Sequence, residues 1–251
     1  VRCTGEVATA DAPSGNPSST LSADQPTGPA ERTAAVVTTG CGAASAAVGS
    51  AVRLDDHIVL TAAHVVAGAE RVALIDAAEL PPGREWPEFS PTALLTTAVD
   101  AKIVAFDPAR DLALVSTNPT VESPISHDFP EFGVVTSDTA IEVHGVATGE
   151  SVEGTVAERT TIVADEVRGE ARVKRDGYRL EVVTAQGDSG AGVWTPDGRL
   201  VGLVFAISAN DESRTWAVSG REIERFLDAA RTDPPQTFHC DPNSSRLTVE
   251  R

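Results

Sequence analysis

The chain has 251 residues, which is enough for one large β domain or two small ones. Its 37 acidic residues outnumber its 20 basic residues, and the resulting net charge of −17 repels nucleic acid and anionic membrane surfaces. No stretch reaches the ~20 apolar residues that a membrane-spanning helix requires. These properties exclude nucleic acid as a partner and predict no membrane span in this chain.

The first segment, residues 1–34, is rich in Ala, Pro, Ser, Thr and Gly and has little apolar surface to bury. This composition predicts a flexible linker. Such a linker could hold a folded domain away from a wall or membrane, or it could be a leader with no role, and both interpretations stay open. The chain begins at Val1 and contains no methionine, so we expect a processed or truncated product whose export signal or anchor lay upstream.

After residue 34 the sequence changes to short runs rich in Val, Ile and Thr, separated by turn signals, which is typical of an all-β fold. A first series of predicted strands covers residues 47–54, 57–61, 71–76, 101–106 and 112–117. A second series covers residues 139–146, 152–162, 177–184, 190–194, 200–207 and 214–218. The two series predict two packed antiparallel β-barrels, the first over about residues 35–122 and the second over about 132–218.

Two further segments stand out against these strands. The long loop at 78–97 could shape one wall of a cleft or could be a neutral insertion. The sequence SGRE at 219–222 is a capping box, and apolar residues follow it at helical spacing. We therefore predict a C-terminal helix over 219–231, followed by a polar tail over 232–251.

The sequence QGDSGAG at 186–192 places Ser189 between glycines, which allow a close approach of the backbone to a substrate. A serine hydroxyl is a weak nucleophile that needs a base and donors for the developing oxyanion. His64 follows the apolar run 58–60, and Asp111 precedes the apolar run 112–115. The chain order His, Asp, Ser is that of one known class of catalytic triad.

In these three sequence motifs the chain resembles the trypsin-like (chymotrypsin-fold) serine proteases, and among them the actinobacterial MarP-like envelope proteases. The resemblance covers roughly residues 48–227. The resemblance implies His64 as general base, Asp111 as its partner and Ser189 as nucleophile of a serine endopeptidase. It implies the N–H groups of Gly187 and Ser189 as the oxyanion hole, with no metal or other cofactor, and a protein or peptide as substrate. We expect a monomer.

The same resemblance places the substrate pocket. Val183 would form its base, and Phe205, Ala206 and Ile207 would line its edge. Since no carboxylate stands at the base, cleavage after Lys or Arg is not expected, and we predict a small or medium apolar residue before the scissile bond.

The serine segment departs from the family pattern, because Ala191 and Gly192 stand where relatives usually have Gly-Pro. We expect the extra methyl of Ala191 to be tolerated. Asp188, which in animal relatives binds a new N-terminus, has no activation site upstream, so either it has another partner or its loop orders only on substrate binding. The alternative function is a latent protease-fold binding module, with the site closed by Ala191 and Ile207. Esterase chemistry is a further alternative.

The chain has three cysteines and no Cys/His cluster with zinc spacing. The resemblance implies a disulfide between Cys41 and Cys240 that would tether the tail to the protease domain. An oxidised pair implies an extracytoplasmic location, either secreted, periplasmic or tethered to the cell envelope. Cys3 could be free, paired between chains or lipidated.

Overall fold

The computed structural model describes residues 28–40, 46–80, 94–118, 129–149, 151–167, 171–208, 211 and 213–231, and the backbone of 237–240 and 247–250. Most of the predicted linker and most of the loop at 78–97 lie outside the described residues. The predicted Cys41–Cys240 disulfide also lies outside them, because Cys41 is not described and only the backbone of Cys240 is.

The first barrel is a closed antiparallel sheet in the order β1-β2-β3-β6-β5-β4. Its strands are Thr33–Thr39 (β1), Ala46–Arg53 (β2), Ile58–Ala62 (β3), Arg71–Asp76 (β4), Val99–Asp107 (β5) and Leu112–Ser116 (β6). The sequence patterns missed β1, whose small residues Ala34 and Ala35 are fully buried alongside Val36. A turn of helix, Ala63–Val66 (α1), follows β3 directly, and a 3-10 turn, Ala77–Glu79, follows β4.

The second barrel is also closed and antiparallel, in the order β10-β11-β12-β9-β8-β7. Its strands are Ala140–His144 (β7), Ser151–Asp165 (β8), Arg172–Glu181 (β9), Gly192–Trp194 (β10), Leu200–Ile207 (β11) and Arg214–Ser219 (β12). The predicted pair of packed barrels is therefore confirmed.

Three apolar clusters explain why so many strands are buried on both faces. One cluster fills the first barrel around Val59 and Val115, and another fills the second barrel around Val156 and Tyr178. A third lies between the barrels and includes Leu114. Strands β3 and β6 are buried at every position because one face lines the first barrel and the other faces the interface.

The predicted C-terminal helix is confirmed as Gly220–Ala230 (α2). The Ser219 side chain accepts a hydrogen bond from the Glu222 backbone N–H, which is one half of the predicted capping box. The Glu222 carboxylate, the other half, instead binds Arg110 and the Asp176 N–H. The apolar stripe of α2 packs into the cluster between the barrels through Ile223 and Phe226. The helix therefore helps to hold the two barrels together.

Two structural features were not predicted. The hairpin of β8 and β9 runs beyond the second barrel to the first, where the Val167 backbone N–H donates to Pro108 O at 3.2 Å. In the tail, Thr237–Cys240 (β13) and Leu247–Glu250 (β14) form a two-stranded sheet. Among the described helices, none is long and apolar enough to cross a membrane.

Candidate active site

His64 and Asp111 lie side by side because their strands are paired. Strand β3 ends at Ala62, which is paired with Leu112 at the start of β6. His64 therefore follows the end of one strand while Asp111 precedes the start of its neighbour. Asp111 has a left-handed backbone (φ 59°), which aspartate tolerates better than most residues, and its carbonyl accepts the Ala63 N–H at 3.1 Å.

The Asp111 carboxylate binds His64 at two points. Its Oδ1 accepts the His64 backbone N–H at 2.9 Å, and its two oxygens lie 3.1 and 2.9 Å from His64 Nδ1. A carboxylate can only accept there, so Nδ1 carries the proton and, in the neutral ring, Nε2 is left as the acceptor. The Asp111 side chain is 6% exposed and the His64 side chain 38%, so the pair has a buried anchor and an accessible imidazole.

Asp188 is fully buried beside the serine, and its main partners are backbone groups. Its carboxylate accepts N–H groups from Ala147 at 2.9 Å, Thr148 at 3.2 Å and Ala185 at 2.8 Å. Burial raises the pKa of Asp188 above its ordinary value, although these N–H groups favour the charged form. The question that the sequence left open, which partner Asp188 has, is thus answered by loop amides within the chain.

Ser50 of β2 links the first barrel to the loop that carries Ser189. The Ser50 hydroxyl donates to Gly187 O at 2.9 Å and accepts the Val146 N–H at 2.9 Å. Its backbone N–H donates to Ser189 O at 2.8 Å. No sequence pattern indicated a role for Ser50; the one available signal was its position next to Gly49, upstream of the histidine strand.

The loop of Ser189 and the helix of His64 approach each other across Gly49. A Cβ added at Gly49 would lie 2.6 Å from Val65 Cγ1 and 3.1 Å from Ser189 O. Among the described residues, no hydrogen bond joins the Ser189 side chain to His64, so the contact between nucleophile and base stays a prediction. Such contacts are often loose in structures without substrate.

The sequence profile of the trypsin-like peptidase domain matches residues 49–203, which include His64, Asp111 and Ser189. The chain belongs to the trypsin-like peptidase family. It is therefore a serine endopeptidase by family, and we refer to it below as the peptidase. No curated protein matches the sequence significantly.

Solved structures share the fold of the peptidase at low sequence identity. The active form of the Rv3671c protease from M. tuberculosis superimposes with a TM-score of 0.66 and 20% identity, over 82% of this chain and 84% of that chain. An inactive form of the same protease gives 0.60 and 19%, over 80% and 90%. The HtrA-type protease AlgW with a tripeptide gives 0.56 and 18%, over 80% and 62%.

The residues predicted to form the substrate pocket of the peptidase are spread over two strand ends. Val183 follows β9 and is 58% exposed, while Phe205, Ala206 and Ile207 form the half-buried end of β11. The ring of Phe205 lies under the guanidinium of Arg175, a neighbour that the sequence did not suggest. The assignment of these four residues to a pocket stays a prediction.

Next to Val183, two buried hydroxyls satisfy each other. Thr184 Oγ1 and Thr215 Oγ1 are 2.8 Å apart, and Thr215 Oγ1 also lies 3.0 Å from Val182 O. Ala191 is fully buried within the apolar cluster of the second barrel, so its methyl group is accommodated. Among the described residues, no group of three or more His, Cys, Asp or Glu side chains could hold a metal ion.

Proposed function

We propose that the peptidase hydrolyses peptide bonds in proteins or peptides through an acyl-enzyme on Ser189. The observation that carries the proposal is the Asp111 carboxylate bound to both the backbone N–H and Nδ1 of His64. This arrangement holds the imidazole in the orientation and tautomer that a general base requires.

In the proposed reaction, Ser189 Oγ attacks the scissile carbonyl carbon while His64 Nε2 takes the hydroxyl proton. Asp111 stabilises the imidazolium, which then gives this proton to the leaving amine. Water, activated by the same imidazole, attacks the acyl carbonyl and releases the acid, which regenerates Ser189. The N–H groups of Gly187 and Ser189 would bind the oxyanion of each tetrahedral intermediate.

For specificity, we propose cleavage after small or medium apolar residues. The support is that the side chains of Val183, Ala206 and Ile207 are apolar and that the nearby hydroxyls of Thr184 and Thr215 are bound to each other. A cationic substrate side chain would find no carboxylate among these residues.

We also propose an extracytoplasmic location, with the Cys41–Cys240 disulfide tethering the tail and an upstream anchor as one route to the envelope. A monomer needs no further partner for this chemistry. Nucleic acid is not proposed as a partner because the net charge is −17.

The test is covalent labelling with a fluorophosphonate at neutral pH, which reports an activated serine. We expect labelling of the wild type and of the control Ser213→Ala, whose serine is an exposed loop residue bound to Asp211. Ser189→Ala and His64→Ala should stay unlabelled. Peptide turnover by the labelled proteins, compared with ester turnover, then separates an endopeptidase from an esterase.

A folded wild type that does not label would contradict the proposed mechanism. It would favour the latent binding module, an interpretation supported by the lack, among the described residues, of a hydrogen bond between Ser189 and His64. Far-ultraviolet circular dichroism of each variant supplies the evidence of folding.

A further inference from the structure

Arg175 is a buried charge on β9 that the proposed reaction does not use. Its side chain is 2% exposed. Burial lowers the pKa of its guanidinium, and the carboxylates of Asp111 and Asp107 oppose that effect. A buried arginine is costly unless charges and hydrogen bonds compensate it, so its surroundings call for an explanation.

The nearest carboxylate to this guanidinium belongs to the proposed triad. Arg175 Nη1 lies 3.6 Å from Asp111 Oδ2, the oxygen that lies 2.9 Å from His64 Nδ1. The guanidinium also donates hydrogen bonds to two uncharged carbonyls, Arg110 O at 3.4 Å and Asp165 O at 3.5 Å. Among the described residues, Arg175 Nε has no hydrogen-bond partner. Asp111 is therefore the main group that compensates the buried charge of Arg175.

The fold brings Arg175 to this position from the other barrel. Val167, at the far end of the β8–β9 hairpin, donates to Pro108 O and packs against the core of the first barrel. The Arg175 guanidinium also lies 4.9 Å from the centre of the Phe205 ring on β11. The β8–β9 hairpin and β11 thus place Arg175 of the second barrel next to Asp111 of the first.

A network of ion pairs around Arg110 adjoins the Arg175–Asp111 pair. Arg110 Nε donates to Glu222 Oε2 of α2 at 2.9 Å, and Arg110 Nη1 also binds Asp107. Because Arg110 already has these two carboxylates, it is not available as the cation for Asp111. Within the part of the chain that the structure describes, Arg175 is the arginine that pairs with Asp111.

We propose that Arg175 is a positioning residue for the triad: its charge, placed against Asp111, offsets part of the attraction between that carboxylate and a charged His64 ring, and so sets the pH at which His64 acts as a base. This inference rests on the proposed function. A purely structural arginine would stabilise the contact between the barrels without changing the titration of His64.

The direction of the effect follows from the charges. Arg175 repels an imidazolium and offsets part of the attraction that Asp111 exerts on it, so loss of Arg175 raises the pKa of His64. The rise of activity with pH then moves to higher pH, because His64 must be neutral to accept the serine proton. The charged groups around Arg175 are unchanged in the variants below. They are Asp107 at the end of β5, Asp111 before β6 and Glu222 on α2. The Arg110 guanidinium binds Asp107 and Glu222, and His64 binds Asp111.

The decisive measurement is the pKa of His64 by NMR titration in the Ser189→Ala protein, with and without Arg175→Met. Methionine keeps an apolar contact with Phe205 and removes the charge. We expect the His64 pKa to rise by about half a unit or more in Arg175→Met and to stay near that of the parent in Arg175→Lys. If Arg175→Met does not fold, Arg175→Gln takes its place with the same expectation.

The matched control is Arg53→Met. Arg53 is also a buried arginine, 3% exposed, and it pairs with Asp76 at 3.3 Å within the first barrel. This variant should lose thermal stability and leave the His64 titration unchanged. An unchanged His64 pKa in the neutral Arg175 variants, or an equal rise in Arg53→Met, would overturn the inference.

A second readout uses the Ser189-intact proteins. The rate of fluorophosphonate labelling plotted against pH should shift to higher pH in Arg175→Met, by the same interval as the His64 pKa measured by NMR. A wild type that does not label would contradict the proposed function, whereas the NMR titration would still decide the role of Arg175.

Discussion

Replacing Ser50 with alanine removes the hydroxyl that joins the first barrel to the proposed oxyanion loop. The hydroxyl accepts the Val146 N–H and donates to Gly187 O, both at 2.9 Å. The hydrogen bond to Val146 is buried, and leaving a buried N–H without its partner destabilises a fold by about 1–3 kcal/mol. Loss of the partly exposed hydrogen bond to Gly187 O should destabilise it less. We therefore expect the free energy of unfolding to fall by about 2–3 kcal/mol.

The same substitution should also reduce turnover. Gly187 supplies one of the two proposed oxyanion N–H groups, and complete loss of one such donor lowers kcat by about 10²–10³. Since Ser50→Ala loosens the Gly187 carbonyl without removing the N–H, we expect a smaller loss, of about 10–100-fold in kcat. KM should change little, because the loss concerns the transition state.

The assay is peptide hydrolysis under saturating conditions, alongside urea unfolding followed by fluorescence. Ser116→Ala is the matched control, because Ser116 is also a buried serine whose hydroxyl bonds backbone groups of Asn118, at the far end of β6 from Asp111. It should lose stability and keep its kcat. If Ser50→Ala retained wild-type kcat, or if both variants lost kcat equally, Ser50 would not position the loop.

Two further predictions concern stability. Gly190→Ala should lower the free energy of unfolding by more than about 3 kcal/mol, because φ is +91° and the new Cβ would lie 1.9 Å from Ser50 O. Gly198→Ala, where φ is +83° and the added Cβ has open space, should lower it by only about 1–2 kcal/mol. Equal losses in the two variants would contradict the clash at Gly190. Burial alone would raise the pKa of Asp176, but hydrogen bonds from Arg159 and Ser219 hold it below its ordinary value. The stability advantage of wild type over Asp176→Asn, measured by urea unfolding, should thus be full above about pH 5 and shrink below about pH 4, whereas an advantage that grows on acidification would refute the assignment.

Much of the fold was predictable because its signals are local. Alternating Val- and Thr-rich runs marked most strands of both barrels, and the SGRE capping box marked the start of α2. Strand β1 was missed although residues 36–39 favour a strand, because Ala34 and Ala35 before them carry little strand preference and lie where the predicted linker ends. Pairing with β2 and β4 is what buries them. Likewise, nothing in the sequence of β8 or β9 indicated that the hairpin they form would reach the first barrel.

The sequence alone determined the chemical groups of the candidate site. The order of His64, Asp111 and Ser189, each beside a glycine turn or an apolar strand, identified the family and the proposed roles, because strand ends and tight turns are encoded within a few residues. Only the tertiary structure decided what supports these groups. Ser50 and Gly187 are 137 residues apart, and Arg175 and Asp111 come from different barrels. Contacts of that range depend on how closed barrels pack, which no local pattern specifies.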